Sequence, residues 1–115
     1  MTNGSRKLLV GIALIASSST PLAASETGIA AIHAWQRVGA KTCIASHWHH
    51  GEGTGTTRKE AEAKAIKMWV DFTGWDYGTD WMSYRRAESK ASNCERSGAG
   101  WKCAVDARAC KLTKR

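Results

Sequence analysis

The sequence predicts a small, disulfide-stapled α+β domain. It would have an antiparallel sheet made from N-terminal strands and a C-terminal hairpin, packed on one long and one short helix. Three observations predict it. Strand-like runs before the helix and a hairpin after it flank the domain's centre, a capped helical period begins at Thr57, and four cysteines follow what reads as an export leader.

The leader comes first. Arg6 and Lys7 form a positive start, Leu8 to Ala16 an apolar core, and small residues follow Pro21. That is the layout of a secretory signal peptide over 1–25, with cleavage expected near Ala24 or Ser25. The apolar run is about half of the ~20 residues a membrane-spanning helix needs, so no transmembrane segment is expected after cleavage. Residues 26–115 then make one small domain, secreted or periplasmic. In an oxidising compartment its even cysteine count implies disulfides.

Glu26 to Gly39 reads as a strand ending at a turn over Val38–Lys41. Thr42 to His49 reads as a second strand, with Ile44, Ser46 and Trp48 on one parity and Cys43, Ala45, His47 and His49 on the other. Gly51, Gly53 and Gly55 are expected to end it in a flexible turn.

A long helix follows. Thr57-Arg58-Lys59-Glu60 is a capping box, in which Thr57 accepts from a free backbone N–H and Glu60 reaches back. Ala61, Ala65, Met68, Trp69 and Phe72 form the expected core stripe, which Trp75 would extend. Glu60, Lys64, Lys67 and Asp71 supply two i,i+4 pairs of opposite charge on the other face. Gly74 is the expected stop. Thr79 or Asp80 would cap a shorter helix running to about Ser89, with Arg85 and Arg86 near its end.

The tail reads as a hairpin turning at Gly98-Ala99, where a leading glycine suits a type II′ turn. That turn pairs 97 with 100, 96 with 101, 95 with 102 and 94 with 103. Cys94 then faces Cys103, which leaves Cys43 for Cys110. A one-residue slip in register would remove this argument and leave all three connectivities that four cysteines allow.

From Tyr77-Gly78 the chain carries Trp81, Ala87, Cys94, Trp101-Lys102-Cys103 and Ala107-Arg108-Ala109-Cys110. This pattern resembles a group of small exported bacterial proteins that often have proline where Ala109 stands. The resemblance covers about a third of the chain. It implies export and disulfides and brings no activity with it. The glycine run, the Arg58-Lys59 pair and the alanine-rich helix are also similar to the end of a double-stranded-RNA-binding domain. That likeness is one of geometry, because Glu52 puts an acid in the turn and an export leader points away from nucleic acid.

Charge narrows the partner class. The chain has 17 basic and 10 acidic residues, and the excess survives loss of Arg6 and Lys7. A basic exported domain favours anionic surroundings. The candidate ligand-binding residues are Arg58 and Lys59 at the helix start, Arg85 and Arg86, and Trp48 as a stacking surface, with Lys111, Lys114 and Arg115 adding charge from the tail. His47, His49 and His50 are the candidate metal ligands. On a strand, His47 and His49 would share a face about 6–7 Å apart. That spacing suits zinc or copper, with His33 as a third ligand and Glu52 as a fourth. The simpler reading is a solvated strand edge. Oxidised cysteines offer no nucleophile, and although Ser46-His47 with Asp76 or Asp80 can be drawn as a catalytic triad, nothing in the sequence fixes its geometry. The sequence thus favours an exported non-enzymatic binding module for an anionic envelope component or a partner protein. A zinc- or copper-binding periplasmic protein is the alternative.

Overall fold

The computed structural model describes residues 29–113. The signal peptide expected over 1–25 lies outside the described residues, as do Lys114 and Arg115. Among the described residues the order is β1 (Trp35–Val38), β2 (Lys41–Ile44), β3 (His49–Gly55), α1 (Arg58–Tyr77), β4 (Glu88–Ser97), β5 (Gly100–Arg108) and β6 (Cys110–Leu112). Short 3-10 turns occupy Ala30–Ile32, Thr79–Trp81 and Tyr84–Arg86.

The fold is α+β, with two antiparallel three-stranded sheets in place of the single sheet expected. They are ordered β1-β2-β6 and β3-β5-β4. Ala109 alone separates β5 from β6. Its carbonyl accepts from the Ile44 amide at 2.9 Å, so the last strands serve both sheets.

The strand expected over Thr42 to His49 is broken. β2 stops at Ile44, and Ala45 to Trp48 bridge to β3. The break is held from outside the ladder. The Arg108 guanidinium donates to the Ile44 carbonyl at 2.7 Å and the Ala45 carbonyl at 3.4 Å, while the Ala45 amide reaches the Ala34 carbonyl at 2.9 Å. Carbonyls released by the lost pairing are thereby satisfied.

The glycine run is not a turn. Gly51, Gly53 and Gly55 lie in β3, paired along its length with β5. Period-2 geometry puts all three on one face, and α1 lies against that face. A Cβ on Gly51 would run into the Ala65 carbonyl and stand 2.7 Å from the Trp69 amide nitrogen. One on Gly53 would be 2.6 Å from the Ala61 carbonyl oxygen. Glycine is here because the helix backbone occupies the space a side chain would need.

The cap of α1 forms largely as its sequence implies. Thr57 Oγ1 accepts from the Glu60 amide at 3.0 Å. The Glu60 carboxylate takes the Thr56 amide at 2.7 Å and the Thr56 hydroxyl at 3.0 Å. The ion pairs Glu60–Lys64 (3.8 Å) and Lys67–Asp71 (2.6 Å) are both present. The helix continues through Gly74 and ends at Gly78, whose φ is 103° and whose amide bonds the Gly74 carbonyl. A positive φ is where glycine terminates helices most readily.

The core stripe also differs from expectation. The buried row is Ala61, Ala65, Trp69, Thr73 and Tyr77, a strict i,i+4 ridge. Met68, Phe72 and Trp75 are exposed, Trp75 to 86%. The small Ala61 and Ala65 fit against the β3 glycines, and that contact sets which ridge faces inward. The expected second helix is replaced by the two 3-10 turns and the start of β4. Extended backbone at Ser83 separates the two turns and at Ala87 ends the second, and Trp81 is completely buried.

The hairpin register holds residue for residue, with Cys94 opposite Cys103 and Ser97 opposite Gly100. Gly98 has a φ of 61°, as the first position of a type II′ turn requires. The disulfides are Cys94–Cys103 and Cys43–Cys110, the second joining neighbouring residues of β2 and β6. The core gathers Trp69, Tyr77 and Trp81 with Ile44, Val105, Ala107 and the α1 alanines.

Candidate functional site

Strand alternation divides the histidines. His49 shares the inward parity of Gly51 and Gly53, and is buried under α1. Its ring stacks on Tyr77 at 4.3 Å and packs against Phe72 at 4.6 Å. Its Nδ1 meets the buried Thr73 hydroxyl at 2.8 Å. Its Nε2 lies 3.2 Å from an Asp76 carboxylate oxygen, close enough for charge pairing but poorly aligned as a hydrogen bond. His47, before the strand, sets its ring edge-on to His49 at 5.6 Å and stacks on His33 at 4.6 Å. Burial pushes the His49 imidazole below its ordinary value. Asp76 pulls it back up, and the neighbouring His47 and His33 push it down again.

His50 faces the other way. It is held between Glu52 and Asp106, each at 2.9 Å, with Lys102 3.8 Å from Glu52. The hydrogen bond to Glu52, then that to Asp106, raises its pKa above the ordinary value. His47, His49 and His50 therefore do not form one cluster, and Glu52 belongs with His50 and not with His33, His47 and His49. Alternation about the strand separates them. Among the described residues no group of three or more His, Cys, Asp or Glu side chains is arranged to hold a metal ion. Asp76 pairs with His49, not with His47 as the drawn triad required. The Thr73 hydroxyl beside His49 is completely buried, out of reach of a substrate. The parity shared with the β3 glycines is the signal that could have turned His49 inward.

The candidate basic residues also fall in separate places. Arg58 and Arg96 both lie over the Trp101 ring, at 5.8 and 5.1 Å. Trp48 sits under Arg108 at 5.7 Å and donates its indole N–H to the Ser89 carbonyl at 3.3 Å. Trp101 and Arg108 mark opposite ends of β5, roughly 23 Å apart at about 3.3 Å per residue. At the helix start, the Glu60 amide is taken by the Thr57 hydroxyl and the Glu60 carboxylate accepts from the Thr56 amide, which sets an acid beside the place an anion would use.

Arg85 and Arg86 have a different setting. With Lys41 and Ser83 they line a concavity of about 450 Å³. Arg86 also lines a neighbouring one of about 370 Å³ with Thr79, Asp80, Lys111 and Leu112. Lys41 ties this wall in place, donating to the Arg86 carbonyl at 3.0 Å and pairing with the Glu88 carboxylate. The Lys111 ammonium rests over Trp35 at 4.5 Å and Trp81 at 5.1 Å. The Arg85 and Arg86 guanidinium groups make no hydrogen bond or ion pair among the described residues. Two guanidinium forks beside Lys41 and Lys111, with Asp80 the acid on the second concavity, can grip a carboxylate, sulfate or phosphate.

No known family model, curated protein or solved structure matches the chain.

Proposed function

We propose that this chain is an exported, non-enzymatic binding module that captures an anionic group of the cell envelope at the concave surface beneath Arg85 and Arg86. The observation that carries the reading is the placement of Arg86. It lines both concavities, with Asp80 on the wall of the second, and neither it nor Arg85 forms an ion pair among the described residues. The net basic charge would steer anionic partners toward the domain. Export is supported by the cysteines, all four of which are paired. Such bridges persist in oxidising compartments. Among the described residues no helix is long and apolar enough to cross a membrane.

The test is a titration of the labelled protein with vesicles of anionic lipid and, separately, with an acidic polysaccharide, at low and raised salt. Binding should weaken steeply with salt, since exposed charges are screened within about 8 Å at physiological ionic strength. It should fall in an Arg85→Ala/Arg86→Ala double variant and persist in Arg58→Ala/Lys59→Ala. Binding indifferent to salt, or unchanged in the first variant, sinks the reading. The rings of His33, His47 and His49 stack and pack edge-on without converging, and this does not favour the zinc- or copper-binding alternative.

A further inference from the structure

The two concavities that meet at Arg86 differ in chemistry. The first, beside Ser83 and Arg85, has no acid among its lining residues. The second has Asp80, with Thr79, Lys111 and Leu112. They adjoin, because Lys41 of the first and Leu112 of the second are partners across the β2–β6 ladder. Asp80 is exposed and makes no ion pair or side-chain hydrogen bond among the described residues. Its position is nonetheless fixed. The turn over Thr79–Trp81 is held by the Trp81 amide, which donates to the Gly78 carbonyl at 3.2 Å, and by the fully buried Trp81 ring. A site for a bare anion gains nothing from a carboxylate on its wall, since the two charges repel.

We infer that the ligand is a phosphorylated sugar, its phosphate held by Arg85 and Arg86 and its ring hydroxyls by Asp80. This rests on the anion-binding reading and names the ligand class of that same site. A phosphate ester has three free oxygens, enough to serve both guanidinium forks, whereas one fork already satisfies a carboxylate. Arg86, on both walls, marks where the ring would cross into the second concavity. That space is about 370 Å³, within the range of small-molecule sites. There an ionised carboxylate acts only as an acceptor, and its two oxygens can take two neighbouring hydroxyls at once. Such charged bonds are about twice as strong as neutral ones. The Thr79 hydroxyl both donates and accepts, and Leu112, 53% exposed, offers apolar surface to the ring's C–H groups. A phosphate bearing an amine fits less well. Arg86 and Lys111 set two cations against the one acid, so an ammonium would enter a net positive concavity, while hydroxyls are neutral.

Amide chemical-shift titration with glucosyl phosphate, inorganic phosphate and phosphoethanolamine tests this. Glucosyl phosphate should bind most tightly. Asp80→Ala should weaken it about tenfold, as loss of a charged hydrogen-bond acceptor does. The same variant should leave inorganic phosphate unchanged or bound more tightly, because a repelling charge is gone. Asp80→Asn, which keeps one acceptor oxygen, should recover part of the loss, and Asp71→Ala, an exposed acid on α1, should change nothing. An unchanged near-ultraviolet spectrum shows that each variant is folded. Arg85→Ala/Arg86→Ala should abolish binding of every probe; if it does not, or if no probe binds, the anion-binding reading fails and this inference with it. Where that variant does abolish binding, three results overturn the sugar alone. These are glucosyl phosphate bound no more tightly than inorganic phosphate, Asp80→Ala tightening all probes alike, and an Asp80-dependent preference for phosphoethanolamine. Comparing a phosphorylated glycolipid in neutral vesicles with a soluble phosphorylated polysaccharide then separates a lipid source from a free chain, and preference for either must be lost in Asp80→Ala for the inference to stand.

Discussion

Gly53 of β3 lies directly against Ala65 of α1: a methyl group on Gly53 would stand 2.5 Å from the Ala65 amide nitrogen. Both obstructing groups, that nitrogen and the Ala61 carbonyl, are backbone, so neither can rotate away. Gly53→Ala should therefore force strand and helix apart, at a cost of about 1–3 kcal/mol or more for overpacking. Gly51→Ala should behave alike, since its Cβ meets the Ala65 carbonyl and the Trp69 amide. Thr54→Ala, on the opposite and exposed face of the same strand, should stay within about 0.5 kcal/mol. Urea unfolding of the three variants checks this, and equal losses at Gly53 and Thr54 would remove the close-contact explanation for the glycine run.

The two disulfides close loops of very different length. Cys43–Cys110 spans 67 residues and Cys94–Cys103 spans 9. The chain-entropy model assigns them about 4 and about 2.6 kcal/mol. Cys43→Ala/Cys110→Ala should accordingly lose more stability than Cys94→Ala/Cys103→Ala, the difference appearing as a lower urea midpoint. The opposite order would mean that hairpin geometry, not loop closure, dominates.

The elements fixed by local chemistry were legible in the sequence. The Gly98-Ala99 turn set the hairpin register, and with it the Cys94–Cys103 pair; Thr57 set the start of α1. What was not legible depended on distant partners. Gly51 and Gly53 carry no local sign that a helix backbone fills the space above them. Met68 and Phe72 are as apolar as the Ala61–Ala65–Trp69 row beside them, and the close fit of Ala61 and Ala65 on the β3 glycines turns the second row inward. Thr73 is absent from the expected core stripe, and the partner that lets its hydroxyl be buried, His49, is 24 residues away. The setting of the candidate site was hidden in a related way. Arg85 and Arg86 were identifiable as basic, but Lys41, which holds their wall, is distant in sequence.

The α1 cap offers a local test. Thr57→Ala removes the acceptor of the Glu60 amide and should cost about 1 kcal/mol. Glu60 sits below its ordinary pKa because it accepts from the Thr56 amide and hydroxyl. That contribution is present above the ordinary carboxylate value and lost as pH falls through the folded one. Glu60→Gln should therefore reduce the acid sensitivity of unfolding below about pH 5. An unchanged acid limb in Glu60→Gln would remove this carboxylate from the cap.

His49 and His50, adjacent in sequence and opposite in facing, should impose pH dependences of opposite sign. Burial, with His47 and His33 against it and Asp76 for it, leaves His49 titrating below the ordinary 6.5. Its unfolded form binds protons more readily, so stability falls as pH drops below that value. Glu52 and Asp106 hold His50 above 6.5. Its contribution is complete below 6.5 and disappears as pH rises through the folded value. The two slopes oppose each other between about pH 5.5 and 7.5, the range in which histidines titrate. In His49→Gln the slope should flatten or reverse, with stability declining toward higher pH. In His50→Gln the loss toward acid should steepen. The readout is the slope of urea-derived stability against pH, not its absolute value, so a general weakening by His49→Gln does not obscure the result. If both variants shift the slope in the same direction, the assignment of one buried and one ion-paired imidazole fails.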